Sequence, residues 1–430
     1  MIIVDSALEK LEKQNKPIRV GMVGAGFMAK GLVDQIINQT PGMQVVAISN
    51  RTIENAKNNY AFAGIKKTVE VNNLKELDFA IKSKIPAITE DFSILCQSKN
   101  IDVIVDMTGS VEFGAKVVME SIKNKKHVVS MNVELDGTVG AILKSKADKA
   151  GIIYSLTGGD QPGVILDLYR YVKGIGLKPV LAGNVKGLHD PYRTPATQAN
   201  FAKQWKQKPE MVTSFADGTK ISFEQAVVAN ATGMKVGKRG MHGPTVEVGT
   251  PIDTAWKNYP AKDLNSKEGI VDYIVGVYPP GGVFVVAKAK SKKQNHYLSY
   301  YKLGNGPFYT FYTPYHICHF EVPSSIARAI LFKDITIAPL SKPMVDVITV
   351  AKKDIEKGEL IDGLGGFATY GICENYKTAR SQKLLPIGLA EGCIANKSIK
   401  KDQVIKFSDV ILPKGRLIDK LWEEQINAFK

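Results

Sequence analysis

Apolar residues come in short runs along the first third of the chain, each followed by a stretch with helical spacing. IRVGMV at Ile18–Val23 is a buried-strand run, and GLVDQIIN beyond it repeats apolar residues at helical intervals. VVAIS at 45–49, IDVIVDMTG at 101–109 and HVVSMNVELD at 127–136 predict further strands, with EFGAKVVMESIKN as a helix between the last two. GIIYSLTGGDQPG at 151–163 gives an apolar strand and a glycine turn, and VILDLYRYVK continues it as a helix. Strands alternating with helices predict a parallel, doubly wound sheet. From residue 179 to about 340 the pattern changes. VLAGNVKGL, IVDYIVGVY, VFVVAKAK and YLSYYKLG predict strands of an antiparallel sheet, separated by segments dense in polar residues. Beyond residue 344, two stretches each read as a short strand, a charged segment and a glycine or lysine turn. The expected fold class is α/β. It comprises a Rossmann domain over 1–165, a central α+β catalytic and dimerisation domain over 166–342, and a small β-rich unit with a tail over 343–430.

Composition narrows the function. At 430 residues, 44% hydrophobic and 23% charged, the chain is globular and too long for one core. Its net charge of +15 comes from lysines scattered along the whole length, which favours solubility and attracts small anions. No recognition helix, zinc knuckle or aromatic ribonucleoprotein motif accompanies that charge, so nucleic acid is not an expected partner. Cys96, Cys318, Cys373 and Cys393 are far apart and form no C-x-x-C pair, which fits reduced thiols. MIIVDSALEKLEKQNK is interrupted by charge too early for a signal peptide, and no apolar run is long enough to cross a bilayer. The expectation is a cytoplasmic protein with no membrane partner.

The chemistry starts after the first strand. Gly24, Gly26 and Ala29 form G-x-G-x-x-A between strand and helix, with Phe27 and Met28 in the turn. The first glycine permits the tight turn, the second lets backbone approach a pyrophosphate, and Ala29 lets helix and strand pack closely. The helix N-terminus then offers free N–H groups to the phosphates. An NAD enzyme usually ends its second strand in a carboxylate. Here Ser49, Asn50, Arg51 and Thr52 stand there instead, so a ribose 2′-phosphate meets no repulsion and Arg51 can pair with it. NADP(H) is the expected cofactor. Thr108, Gly109 and Asn132 follow later strands, on the side where the nicotinamide half would lie.

GAGFMAKG, HVVSMNVELD, GGDQPG and GNVKG together resemble the homoserine dehydrogenase-like oxidoreductases. The segments DPYRTPAT, ANATG, KRGMHGP and TPYHICHFE are similar to the deoxyxylulose-phosphate reductoisomerase-like family, and the unit beyond residue 344 looks like a SAF domain. That resemblance implies NADPH, a homodimer, and conversion of 1-deoxy-D-xylulose 5-phosphate to 2-C-methyl-D-erythritol 4-phosphate in isoprenoid precursor synthesis. It also singles out Lys186, which lies where homoserine dehydrogenases carry a catalytic lysine. Glu134 and Asp160, each at a strand end, are candidates for acid–base work or for holding a divalent ion such as Mg²⁺ or Mn²⁺.

A phosphorylated small-molecule substrate needs an anchor. Lys238, Arg239 and His242 among the glycines of KRGMHGP, with Arg193 and Lys203, are the candidates. His316 and His319 are three apart, a spacing that puts both on one helical face. Metal binding there has no obvious third ligand, and His319 is assigned to substrate. Two other readings stay open: a dehydrogenase or oxidoisomerase acting on homoserine or a branched sugar acid, and a dinucleotide-sensing regulatory protein that reduces nothing.

Overall fold

The computed structural model describes residues 4–429; residues 1–3 and 430, at the margins of the expected domains, lie outside it. Among the described residues the first fourteen strands are β1 (Ile18–Val23), β2 (Met43–Ser49), β3 (Val69–Glu70), β4 (Ala87–Thr89), β5 (Val103–Asp106), β6 (His127–Ser130) and β7 (Tyr154–Leu156), then β8 (Lys178–Lys186), β9 (Thr245–Pro251), β10 (Ile270–Tyr278), β11 (Val283–Lys288) and β12 (Phe308–Thr313), and finally β13 (Val345–Ala351) and β14 (Thr369–Asn375). β1 to β7 form one parallel sheet in the order 3-4-2-1-5-6-7. The chain leaves β1 toward one edge through β2 and returns to β5 to build the other. The crevice outside β1 and β5 is therefore the switch point where such sheets bind ligands. Helix Phe27–Gln39 starts there because Gly24, at φ +106°, turns the chain so tightly that a Cβ on it would stand 2.8 Å from the Met107 carbonyl oxygen.

The segment 127–136 is a strand only as far as Ser130. Asn132 accepts a hydrogen bond from the Leu135 N–H and starts helix Val133–Ala150, so Glu134 sits in a first helical turn and not at a strand end. That helix breaks at Val139 (φ −136°, ψ 16°). The break is filled from far along the chain: Gln425 accepts from the Ile142 N–H at 3.2 Å and donates to the Thr138 carbonyl at 3.0 Å. A side chain inserted into the ladder accounts for the kink.

The same helix buries Asp136, with one carboxyl oxygen 3.1 Å from the Tyr154 hydroxyl and the other lacking a partner. Burial pushes this carboxyl up from 3.8 to about 7. Its folded-state pKa is raised, so its contribution to stability is complete below about pH 4 and is lost as pH climbs through 7. Asp136→Asn keeps an acceptor for Tyr154 without the charge. The variant is expected to match the parent near pH 4 and to exceed it above pH 7, by at most an amount on the order of 4 kcal/mol. Denaturant titrations at the two pH values read the difference; an equal gap at both would remove Asp136 as its source.

The second sheet corrects an expectation. Its order is 12-11-8-10-9, and it is mixed: β8 runs parallel to β10 and β10 to β9, while β11 is antiparallel to β8 and β12. YLSYYKLG is not a strand. Ser291 accepts from the Gln294 N–H and caps helix Lys292–Tyr300, which has no buried residue. Local capping and the helix-favouring Lys and Gln residues outweigh the aromatics there. The edge strand comes instead from FYTFYT.

β13 and β14 form an antiparallel pair laid against helix Thr219–Thr232. Ser222 donates to the Gly371 carbonyl, and Thr219 accepts from the Gly371 N–H. Past β13, Lys352 reaches into the central part of the molecule. Its ammonium donates to the Asp217 carboxylate at 2.9 Å and to the Arg193 and Gly366 carbonyls at 2.8 and 2.9 Å. No helix among the described residues is long and apolar enough to cross a membrane.

Candidate active site

The glycine turn is tied to the end of β2. Asn50 accepts from the Ala25 N–H at 3.1 Å and donates to the Thr52 carbonyl at 2.8 Å. A Cβ on Gly26 would meet nothing, so the room that residue leaves lies outside the chain, in front of the helix N-terminus. Phe27 and Arg51 are exposed, Met28 is half-buried, and Ala29 packs against the strand at 1% exposure. Arg51 makes no ion pair among the described residues. Behind the loop after β5, buried Asp106 accepts from the Thr108 N–H and hydroxyl and from Ser130. Burial raises this carboxyl, and those donors pull it back. Gly109 (φ +62°) completes the turn, and the Asn132 amide donates to the Ser110 carbonyl. The expected dinucleotide residues therefore share one edge of the parallel sheet.

Next to that edge lies a second cluster. Two segments meet there because two glycines let them. Cys318 donates its N–H to the Gly159 carbonyl at 2.8 Å, and Ser325 accepts from the Gly158 N–H at 2.6 Å. A Cβ on Gly159 would stand 2.4 Å from the Cys318 carbonyl oxygen. On its other side the 316–320 segment rests on the dinucleotide helix, where a Cβ on Gly31 would sit 2.8 Å from the His319 ring. His316 and His319 do not share a helical face. His316 precedes the short turn Cys318–Phe320 and points toward Gln161 at 3.2 Å, whereas His319 covers Gly31.

Asp160 caps helix Gln161–Gly174 through the Gln161 N–H. Asn184, at the inner end of β8 and fully buried, donates to Gln161 and to Glu224 and accepts from Gln225. Two residues on, the Lys186 ammonium donates to the Phe215 carbonyl at 3.1 Å. Lys220 bridges to Glu134 at 2.9 Å, with both side chains nearly buried. The electrostatics oppose one another. Burial, then the Asp160 carboxylate, push Glu224 up to about 8 against the pull of Lys220 and Lys186. Burial lowers Lys186, against the upward pull of Glu224 and Asp217. Burial also works against the Lys220 charge, but Glu134, Asp160 and Glu224 outweigh it and raise that lysine. Burial thus works against the charge on both the carboxyl and the amine, the condition under which neighbouring groups can exchange a proton.

Lys220 and Glu224 escaped the sequence reading. The available signal was a lysine and a glutamate four apart in TKISFEQAVVANAT, a helix buried on all sides at 219–232. Charges at that spacing in an otherwise apolar helix need internal partners.

The expected phosphate anchors are placed less favourably. Arg239 is paired with Glu374 at 2.6 Å and also donates to Gln382. His242 contacts Asp263 at 2.9 Å, and its backbone N–H is held by Asp272. Arg193 pairs with Asp190. Lys203 and Lys238 are exposed.

A family model described as the NAD binding domain of homoserine dehydrogenase matches residues 24–154. A second, described as the catalytic domain of oxidoreductase DRL, matches residues 159–322. The chain is an oxidoreductase. The second match contains every member of the Lys186 cluster except Glu134. Homoserine dehydrogenase of Bacillus subtilis (strain 168) is 27% identical over 148 residues, which is 34% of this chain and 31% of that protein. The oxidoreductase thus aligns with about a third of the length of that curated relative. Among solved structures, a probable dehydrogenase from Thermotoga maritima is similar over 75% of this chain and 90% of its own (13% identity, TM-score 0.41). Apo scyllo-inositol dehydrogenase from Lactobacillus casei is similar over 74% of this chain and 89% of its own (11% identity, TM-score 0.42).

Proposed function

We propose that this oxidoreductase is an NADPH-dependent reductoisomerase acting on a small hydroxy-ketone, with 1-deoxy-D-xylulose 5-phosphate as the substrate to try first. The observation that supports the reading is that a buried amine, Lys186, and a buried carboxyl, Glu224, belong to one cluster, with Asn184 on the Lys186 strand donating to Glu224, and that burial lowers the amine and raises the carboxyl. A simple dehydrogenase needs one acid or base for the carbonyl it reduces. A reductoisomerase must also take a proton from a hydroxyl before the carbon skeleton shifts. When bound, the nicotinamide supplies hydride to the transient aldehyde; Lys186 then protonates the oxygen that forms, and Lys220 with Glu134 fixes the charge around it. An all-oxygen cage for Mg²⁺ or Mn²⁺ is not assembled by these carboxylates, because Glu134 is committed to Lys220 and Glu224 retains its proton beside Asn184.

A second reading has its own support. Arg239 and His242 are already paired, which favours an unphosphorylated substrate such as a branched sugar acid turned over by oxidoisomerisation. One assay series separates the two: NADPH oxidation with deoxyxylulose phosphate, and NADP⁺ reduction with branched sugar acids and homoserine. Turnover only in the second arm overturns the first reading. In whichever arm works, Arg51→Ala is expected to raise KM for the phosphorylated cofactor about tenfold or more, given the 1.5–3 kcal/mol of a charge-assisted hydrogen bond, and to leave the unphosphorylated one unchanged. An equal effect on both would remove the 2′-phosphate role from Arg51.

A further inference from the structure

We infer that Asp160, His316 and Cys318 form a binding site for one borderline divalent cation, Zn²⁺ foremost, at the border between the dinucleotide edge and the Lys186 cluster. One ligand atom from each side chain lies within 4.8 Å of the other two. The Cys318 sulfur and His316 Nδ1 are 3.8 Å apart. Two ligands about 2.0–2.3 Å from a tetrahedral ion are separated by a similar span, so the cation needs little movement to be held.

The three donors are placed by backbone, not by chance meeting of long side chains. Asp160 is fixed as a helix cap, and the Gly159–Cys318 hydrogen bond clamps its neighbour to the strand of chain carrying both other ligands. His316 already has an outer partner. Its Nε2 lies 3.2 Å from the Gln161 side-chain amide. That amide keeps its oxygen toward Asn184, so its nitrogen faces Nε2 and holds the ring in place, with Nδ1 on the side of the sulfur.

One nitrogen, one sulfur and one carboxylate oxygen are a poor set for Mg²⁺, which demands oxygen throughout. They suit Zn²⁺ and, after it, Co²⁺ or Fe²⁺. Three protein ligands leave a fourth position for a substrate oxygen. The ion would polarise that oxygen next to Lys186; this role rests on the proposed function, whereas binding itself does not. The other cysteines offer no such group: Cys96 faces Ser121, Cys373 donates to the Ser222 carbonyl and Cys393 to the Leu389 carbonyl.

The test uses the full chain, stripped with a chelator and titrated with Co²⁺ and then Zn²⁺. One equivalent of Co²⁺ is expected to bring up a near-ultraviolet thiolate-to-cobalt band that Zn²⁺ abolishes. Cys318→Ser should erase the band, His316→Gln and Asp160→Asn should weaken binding about 100-fold or more, and Cys393→Ser should change nothing. Circular dichroism identifies any variant that fails to fold, and the remaining two still decide the matter. Absence of a stoichiometric band, or a band that survives Cys318→Ser, overturns the assignment. Both readouts are independent of turnover, so an inactive enzyme that still binds one Co²⁺ would sink the functional reading alone.

Discussion

Lys186→Met is expected to lower kcat by about 10²–10⁴-fold, the range contributed by a positioned general acid or base. Methionine keeps the length and apolar stem of lysine, so the β8 terminus should stay packed. What it removes is the ammonium that donates to the Phe215 carbonyl and stands close enough to pull on Glu224 and His316. Dinucleotide affinity should be unchanged, since the glycine turn and Asn50 belong to the other edge of the cleft. The pH profile adds a sign. Burial lowers the Lys186 pKa, so the protonated acid needed for reduction disappears at a lower pH than an ordinary lysine would lose it. The alkaline limb of kcat/KM for reduction should therefore fall early in the parent and vanish in the variant. A variant within threefold of parental kcat, with the same alkaline limb, would take Lys186 out of the chemistry.

The largest structural effect should come from Lys352→Met, a loss of about 3–5 kcal/mol. Lys352 and Asp217 are an ion pair whose side chains are 2% and 0% exposed. Removing the lysine strands a buried carboxylate, and that uncompensated charge, more than the lost attraction, sets the cost. It also frees the Arg193 and Gly366 carbonyls. Adding Asp217→Asn to the same chain removes the stranded charge, so the double variant should recover a good part of the loss. Denaturant midpoints of the parent, both single variants and the double variant close the cycle. Equal midpoints for the single lysine variant and the double variant would show that the charge is not what matters.

How much of this was legible beforehand depends on how local each determinant is. The glycine turn and the basic residue after β2 are each decided within a few positions, and the sequence displays them in order, whereas Asp160, expected at a strand end, caps a helix. The parallel sheet followed from the alternation of strand and helix. The Lys220–Glu134 bridge is 86 residues long in chain terms, and nothing near either residue advertises the other. Asn184 and Glu224 are likewise joined only by the packing of β8 against helix Thr219–Thr232. His316 and His319 misled for the opposite reason. Their spacing fits a helical face, but only Cys318–Phe320 forms a short turn, and the segment is packed against Gly159 and Gly31, residues that lie elsewhere in the sequence. Lys292–Tyr300 shows how a serine cap and helix-favouring residues overrule aromatic content when a segment stays on the surface.

The break at Val139 has a consequence in time. The amide that heals it lies 283 residues downstream of the N–H it accepts from. During synthesis the helix presenting Glu134 leaves the ribosome with a gap in its ladder, and only when residue 425 emerges can that gap close. A nascent or truncated chain can thus build its dinucleotide edge early while the carboxylate facing Lys220 still hangs from an unfinished helix. Order around Glu134 is thereby tied to a segment far downstream of it.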